Sequence, residues 1–163
     1  MATSLQKLDE TLPDWADDRL HFILGYWNEM RGVHAFPSRS DIDPLDFAPH
    51  WPLVYLVEGS SLQSLKIRLA GTAYRDLYGF EITGRKIVDL IPRMQRRDVI
   101  DDYANCLAQG RPIFRADTMT WRPQNAKISY HRLLLPLGDR AGHVTHELAL
   151  AVFFDTNGQA MFV

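Results

Sequence analysis

The residues best able to do chemistry in this chain are arginines, a histidine and tyrosines, set in otherwise apolar surroundings. Tyr130, His131 and Arg132 interrupt the apolar run from Lys127 to Leu137. In a strand, His131 shares a face with Leu133, Leu135 and Leu137, while Tyr130 and Arg132 share the other with Leu134. A histidine on an apolar sheet face can ligate haem, although a hydrogen-bonded core histidine is the commoner use of that position. Arg85 closes the turn Thr83-Gly84-Arg85, where free backbone N–H groups and a guanidinium could together hold a carboxylate or phosphate. Arg68 alternates against Leu65, Ile67 and Leu69 and therefore points away from the leucine face. The competing structural use of Arg85 is an ion pair with Asp76, Glu81 or Asp89.

Other reactive groups argue against several chemistries. Cys106 is the only cysteine, so an intramolecular disulfide and multi-cysteine zinc sites are excluded. It falls on the apolar side of a helix with Tyr103 and Leu107, where an inert buried thiol is the default. His143 and His146 lie three residues apart in a predicted strand and so on opposite faces, which leaves no metal site. Arg93, Arg96 and Arg97 are flanked by Asp98, Asp101 and Asp102, a solvated face and not a nucleic-acid footprint. No nucleophile elbow, zinc-protease helix or phosphate-binding loop occurs. One enzymatic reading stays open: a cone-shaped α+β isomerase in which Asp117, beside Tyr103, abstracts a proton next to a carbonyl.

These groups must be positioned by a chain of 163 residues, a length that fits one domain with one core. A formal net charge of −2 gives no field for nucleic acid or anionic membrane. No apolar run of about 18 residues occurs, and acidic residues crowd the first fifteen, so a soluble cytoplasmic protein is expected.

The predicted order begins with a flexible stretch, 1–13, and a helix over 14–32. Asp14 is its expected cap and Gly32 its stop. Leu20, Ile23, Leu24 and Trp27 form the helix's apolar stripe, which needs cover from the sheet or from a second subunit. Prolines 37, 44, 49 and 52 then make an irregular but ordered connection, with one short helical turn expected before Pro49, anchored by Phe36, Leu45, Phe47 and Trp51. A hairpin follows, Leu53 to Glu58 and Leu65 to Gly71. Short helices are expected over Tyr74–Tyr78 and Ile87–Ile91, the latter stopped by Pro92. A longer helix, Arg96–Gln109, leaves Asp98, Asp101 and Asp102 exposed. Three strands finish the chain, Ile113–Trp121, Lys127–Leu137 and His143–Asp155, joined by turns at Pro123–Asn125 and Gly138–Gly142. Residues 158–163 are read as a tail.

This order, two strands, a helical insert and a three-stranded meander, resembles the PAS fold. The pieces Asp43-Pro44, Trp51-Pro52-Leu53, Ile67–Thr72, Glu81–Arg85, Tyr130–Leu137 and Leu148–Phe153 are similar to the PAS_5 branch of bacterial PAS-like proteins. The resemblance implies an α+β domain over 33–157. Its five-stranded antiparallel sheet would carry helices on one face, with the N-terminal helix additional to them. It also implies a stand-alone sensory or regulatory role without catalytic residues, acting on a partner protein and commonly as a homodimer, whose seam would be Leu20, Ile23, Leu24 and Trp27. A small-molecule pocket would be lined by Arg68, Tyr74, Tyr78, Arg85, Leu90, Tyr103, Met119 and His131. No cofactor is strongly indicated. Haem would need His131, and a light-sensing flavin would need Cys106 in a motif that Asn105-Cys106-Leu107-Ala108 does not reproduce.

Overall fold

The computed structural model describes residues 12–91, 96–119 and 127–162. Helix α1 (Asp18–Arg31) starts one turn later than the sequence suggests. Pro13 to Ala16 close a tight turn of their own, with the Ala16 N–H donating to the Pro13 carbonyl at 3.0 Å. Asp17, not Asp14, is therefore the cap, its carboxylate accepting from the Arg19 N–H at 3.0 Å. Asp18 in the first turn and Arg31 in the last both favour the helix dipole. Gly32 ends the helix at φ 55°, as expected.

The connection after α1 is ordered, as its aromatic anchors suggest, and holds more helix than the single short turn expected before Pro49. It holds two 3₁₀ segments, Arg39–Asp41 and Pro44–Leu53, the second kinked at Phe47. Short 3₁₀ turns need few ladder hydrogen bonds and so accommodate Pro49 and Pro52. Phe36 and Phe47 are buried anchors, whereas Leu45 is 80% exposed and anchors nothing. The Tyr26 hydroxyl ties α1 to this segment: it donates to Asp46 Oδ2 at 2.8 Å and accepts from the Asp43 N–H at 3.0 Å.

Strands β1 (Val54–Glu58) and β2 (Lys66–Ala70) form the expected hairpin. Three helices follow: α2 (Thr72–Tyr78), α3 (Ile87–Leu90) and α4 (Arg96–Gln109). Strands β3 (Ile113–Met119), β4 (Ile128–Gly138) and β5 (Val144–Phe154) make the meander. A short β6 (Ala160–Met161) pairs with β5 where a tail was expected. The antiparallel order is β2-β1-β5-β4-β3. The chain thus leaves at one edge, crosses a face through α2 to α4, and re-enters at the other edge. The expected loose residues 1–11, the Pro92 stop, Arg93, the end of the third strand at Trp121 and the Pro123–Asn125 turn lie outside the described residues.

Both sheet faces are covered. His131, Leu133 and Leu135 stand opposite Val152, Leu150 and Leu148, and α1 packs over this face. Leu20, Ile23, Leu24 and Trp27 are at most 5% exposed there, and Trp27 Nε1–H donates to the Pro136 carbonyl at 2.9 Å. The expected dimer seam is consequently consumed within the chain, because the sheet itself buries it. Among the described residues, no helix is long and apolar enough to cross a membrane.

At the exit of β2 the chain passes under the connection. A Cβ on Gly71 would stand 2.2 Å from the Trp51 carbonyl oxygen and 2.3 Å from that of Pro52, so only glycine fits. The Glu81–Arg85 motif is a turn latched to the same strand, with backbone bonds from Ile67 N–H to the Arg85 carbonyl (2.9 Å) and from Gly84 N–H to the Ile67 carbonyl (2.7 Å).

Candidate functional site

The face opposite α1 carries Tyr130 and Arg132 on β4, paired in register with Phe153 and Ala151 on β5. Helices α2, α3 and α4 arch over it and leave a cavity of about 50 Å³. Tyr74 and Tyr78 from α2, Leu90 from α3, Tyr103 from α4 and Met119 from β3 line it, all of them named from the sequence.

Three other candidates lie elsewhere. Arg68 is on the outer surface of edge strand β2, 3.9 Å from Glu58 with both side chains largely in water. Arg85 stacks its guanidinium 5.1 Å from the Phe80 ring centroid, outside the cavity lining and without an acidic partner among the described residues. His131 points to the α1 side, among Trp15, Phe114 and Phe154, and its Nδ1 accepts from the Asp17 N–H at 3.3 Å. Burial holds its pKa below the usual histidine value, partly offset by the Asp17 carboxylate. The strand alternation of residues 130–132 was therefore legible, but the cavity lies on the Tyr130–Arg132 side, away from Leu133, Leu135 and Leu137.

The site's organising group is a buried cluster that the sequence reading missed. Arg115 and Arg132 sit directly opposite each other on β3 and β4. Both donate to Asp102 of α4: Arg115 through Nε, Arg132 through Nη2. Asp102 was expected to be exposed; it is 8% exposed because these two strands supply its cations. Arg115 is further satisfied by the Asp98 carbonyl at 3.1 Å and by Asp117 at 3.3 Å. Arg132 is not: its buried Nε–H has no hydrogen-bond partner among the described residues. Its guanidinium lies 5.1 Å from the Tyr103 ring centroid.

Tyrosines complete the wall. The Tyr55 and Tyr103 hydroxyls share a 2.7 Å hydrogen bond, and Tyr74 donates to the Leu53 carbonyl at 2.5 Å. Burial pushes all three phenols upward in pKa, so they stay protonated donors. Asp117, by contrast, has a half-exposed side chain and pairs with Arg115. It is no buried base, and the isomerase reading fails on that placement.

Glu147 on β5 is fully buried, with its carboxyl facing the Cys106 thiol. Burial pushes its pKa well above the usual carboxylate range, with the Cys106 thiol and Arg132 pulling it back and Asp102 adding to the rise. Cys106 is itself buried, and burial followed by Glu147 pushes its thiol up. Because Glu147 binds its proton more tightly when folded, its favourable contribution is present below the unfolded pKa of about 4.3 and is lost as pH rises through the folded value. Glu147→Gln is expected to remove this loss. Urea unfolding from pH 5 to 8 should show the wild type losing stability relative to the variant, with a limiting slope of about 1.4 kcal/mol per pH unit. Parallel curves would show that Glu147 is ionised in the folded state.

A family model described as PAS domain matches residues 18–151. No curated protein matches the sequence. Several solved structures share the fold. A light-oxygen-voltage domain studied with a flavin analogue aligns with a TM-score of 0.55 at 14% identity, over 69% of this chain and 84% of that one. The dark structure of the blue-light photoreceptor Aureochrome1 LOV gives 0.54 at 16% identity, over 74% and 87%. The LOV domain of a blue-light activated histidine kinase from Erythrobacter litoralis gives 0.51 at 13% identity, over 63% and 95%. At such identities the likeness is one of fold. The family match, spanning most of the chain from α1 to β5, goes further: the chain belongs to the PAS domain family.

Proposed function

We propose that this PAS domain is a sensory module that holds a small molecule in the cavity under α2 to α4 and reports its presence to a partner protein. One observation carries the reading: a tyrosine-walled cavity containing Arg132, whose counter-charge is shared and whose Nε–H is unmet among the described residues. An interior filled only for packing would not keep such a group.

Flavin sensing as in the light-oxygen-voltage neighbours does not fit these residues. Cys106 faces Glu147 and does not line the cavity, and its thiol is pushed up in pKa, away from the reactive thiolate. A volume of about 50 Å³ is also far below the roughly 300 Å³ at which sites for drug-sized ligands begin. His131, the haem ligand the sequence offers, is on the other face. Any homodimer would have to use surface other than the α1 stripe; Trp15 and Phe22 are the exposed aromatics beside it.

Native mass spectrometry with an absorption scan tests this on unsupplemented protein. The expected result is a retained small mass, or one restored by a small-molecule panel, without visible absorption. A flavin or haem spectrum would overturn the assignment, and a protein that retains and binds nothing would leave only an interaction module.

A further inference from the structure

The chemistry around Arg132 narrows the class of occupant, an inference that rests on the sensory reading above. Arg132 has a side chain 5% exposed, and its ion-pair partner, Asp102, is shared with Arg115. A guanidinium always carries its charge, so the low-dielectric cavity wall holds a cation that is only partly neutralised. The second nearby carboxyl, Glu147, supplies no compensating charge while it is protonated. The wall also offers donors. Arg132 Nε–H is unmet, and the Tyr55–Tyr103 pair uses one hydroxyl proton and leaves the other to donate elsewhere. A buried donor left without an acceptor is costly, so the wall favours an acceptor, and a negative one.

The cavity also sets size. Each water-sized group takes about 10–15 Å³ of such a space, so about 50 Å³ admits on the order of three to five heavy atoms. Ile67, Met119 and Phe153 make the remaining wall apolar. We propose that the cavity binds a short-chain monocarboxylate, its carboxylate accepting from Arg132 and the Tyr55–Tyr103 pair and its alkyl end against Ile67, Met119 and Phe153. Arg132 would be the specificity-determining residue, because a bond between a charged donor and a carboxylate is about twice as strong as a neutral one.

The test uses the full chain and sodium propionate, with propionamide as the uncharged probe of matching shape and sodium chloride at equal ionic strength as control. Calorimetric titration is expected to give propionate a Kd at least about tenfold below that of propionamide, and Arg132→Gln should abolish the preference. Arg68→Gln, a change at an exposed arginine, should leave it intact. If Arg132→Gln does not fold, the propionate-to-propionamide ratio on the wild type decides alone. Equal affinity, or binding of propionamide only, overturns the carboxylate assignment while leaving the sensory reading standing. Binding of neither overturns it too, and the sensory reading then falls only if native mass spectrometry also finds no bound molecule.

Discussion

Replacing Asp102 by alanine is expected to destabilise the domain by about 3–5 kcal/mol, the range for removing one partner of a buried ion pair. Asp102 receives Arg115 Nε and Arg132 Nη2, and without it both guanidinium groups face each other across the β3–β4 ladder. Arg115 keeps Asp117 and the Asp98 carbonyl near the surface. Arg132 keeps, among the described residues, the Tyr103 ring and the cavity. The loss therefore comes chiefly from an uncompensated buried charge, which a control can isolate. Asp102→Leu combined with Arg132→Met removes charge and counter-charge together and should be more stable than Asp102→Ala, since replacing a whole buried pair by apolar groups is often neutral. Urea denaturation of the three proteins measures this. A double variant no more stable than Asp102→Ala would assign the loss to packing of α4, not to charge.

The same cluster shows what a sequence can and cannot reveal about such a site. The hairpin, the meander and the bounds of α4 follow from alternation, turn residues and helical spacing, all of which are local. Five cavity residues, Tyr74, Tyr78, Leu90, Tyr103 and Met119, were legible because the helical insert had to cover one sheet face. Arg132 was visible as a polar residue in an apolar strand, but the choice between its face and that of His131 depends on which face α1 takes. That is a non-local fact. Asp102 looked like a member of an exposed acidic row because its partners lie 13 and 30 residues further on. Arg68 and Arg85 attracted attention through conspicuous motifs whose job proved to be backbone latching: the glycine of the first passes under two carbonyls, and the second clips to β2. The 3₁₀ connection was legible only as one short turn, because its prolines forbid a long helix yet permit short turns.

Trp27→Ala is expected to cost a further 3–5 kcal/mol or so in its own right, by a different route. Trp27 is fully buried between α1 and the sheet, and its indole N–H satisfies the Pro136 carbonyl. Truncation opens a cavity at the centre of the α1 face and leaves that carbonyl without its donor. For a domain of this size, about 2–4 °C per kcal/mol implies a fall in Tm of roughly 6–20 °C. Trp27→Phe, which keeps most of the ring volume and removes only the hydrogen bond, should lose about 1–2 kcal/mol. The comparison also separates two uses of the α1 stripe. If the stripe packs within the chain, Tm falls while the oligomeric state by analytical ultracentrifugation is unchanged. If Trp27 instead met a second copy, the alanine variant would dissociate with its monomer stability intact. The first outcome follows from a helix that covers the leucine face of β4 and β5, and it would direct any search for a partner surface to the exposed Trp15 and Phe22.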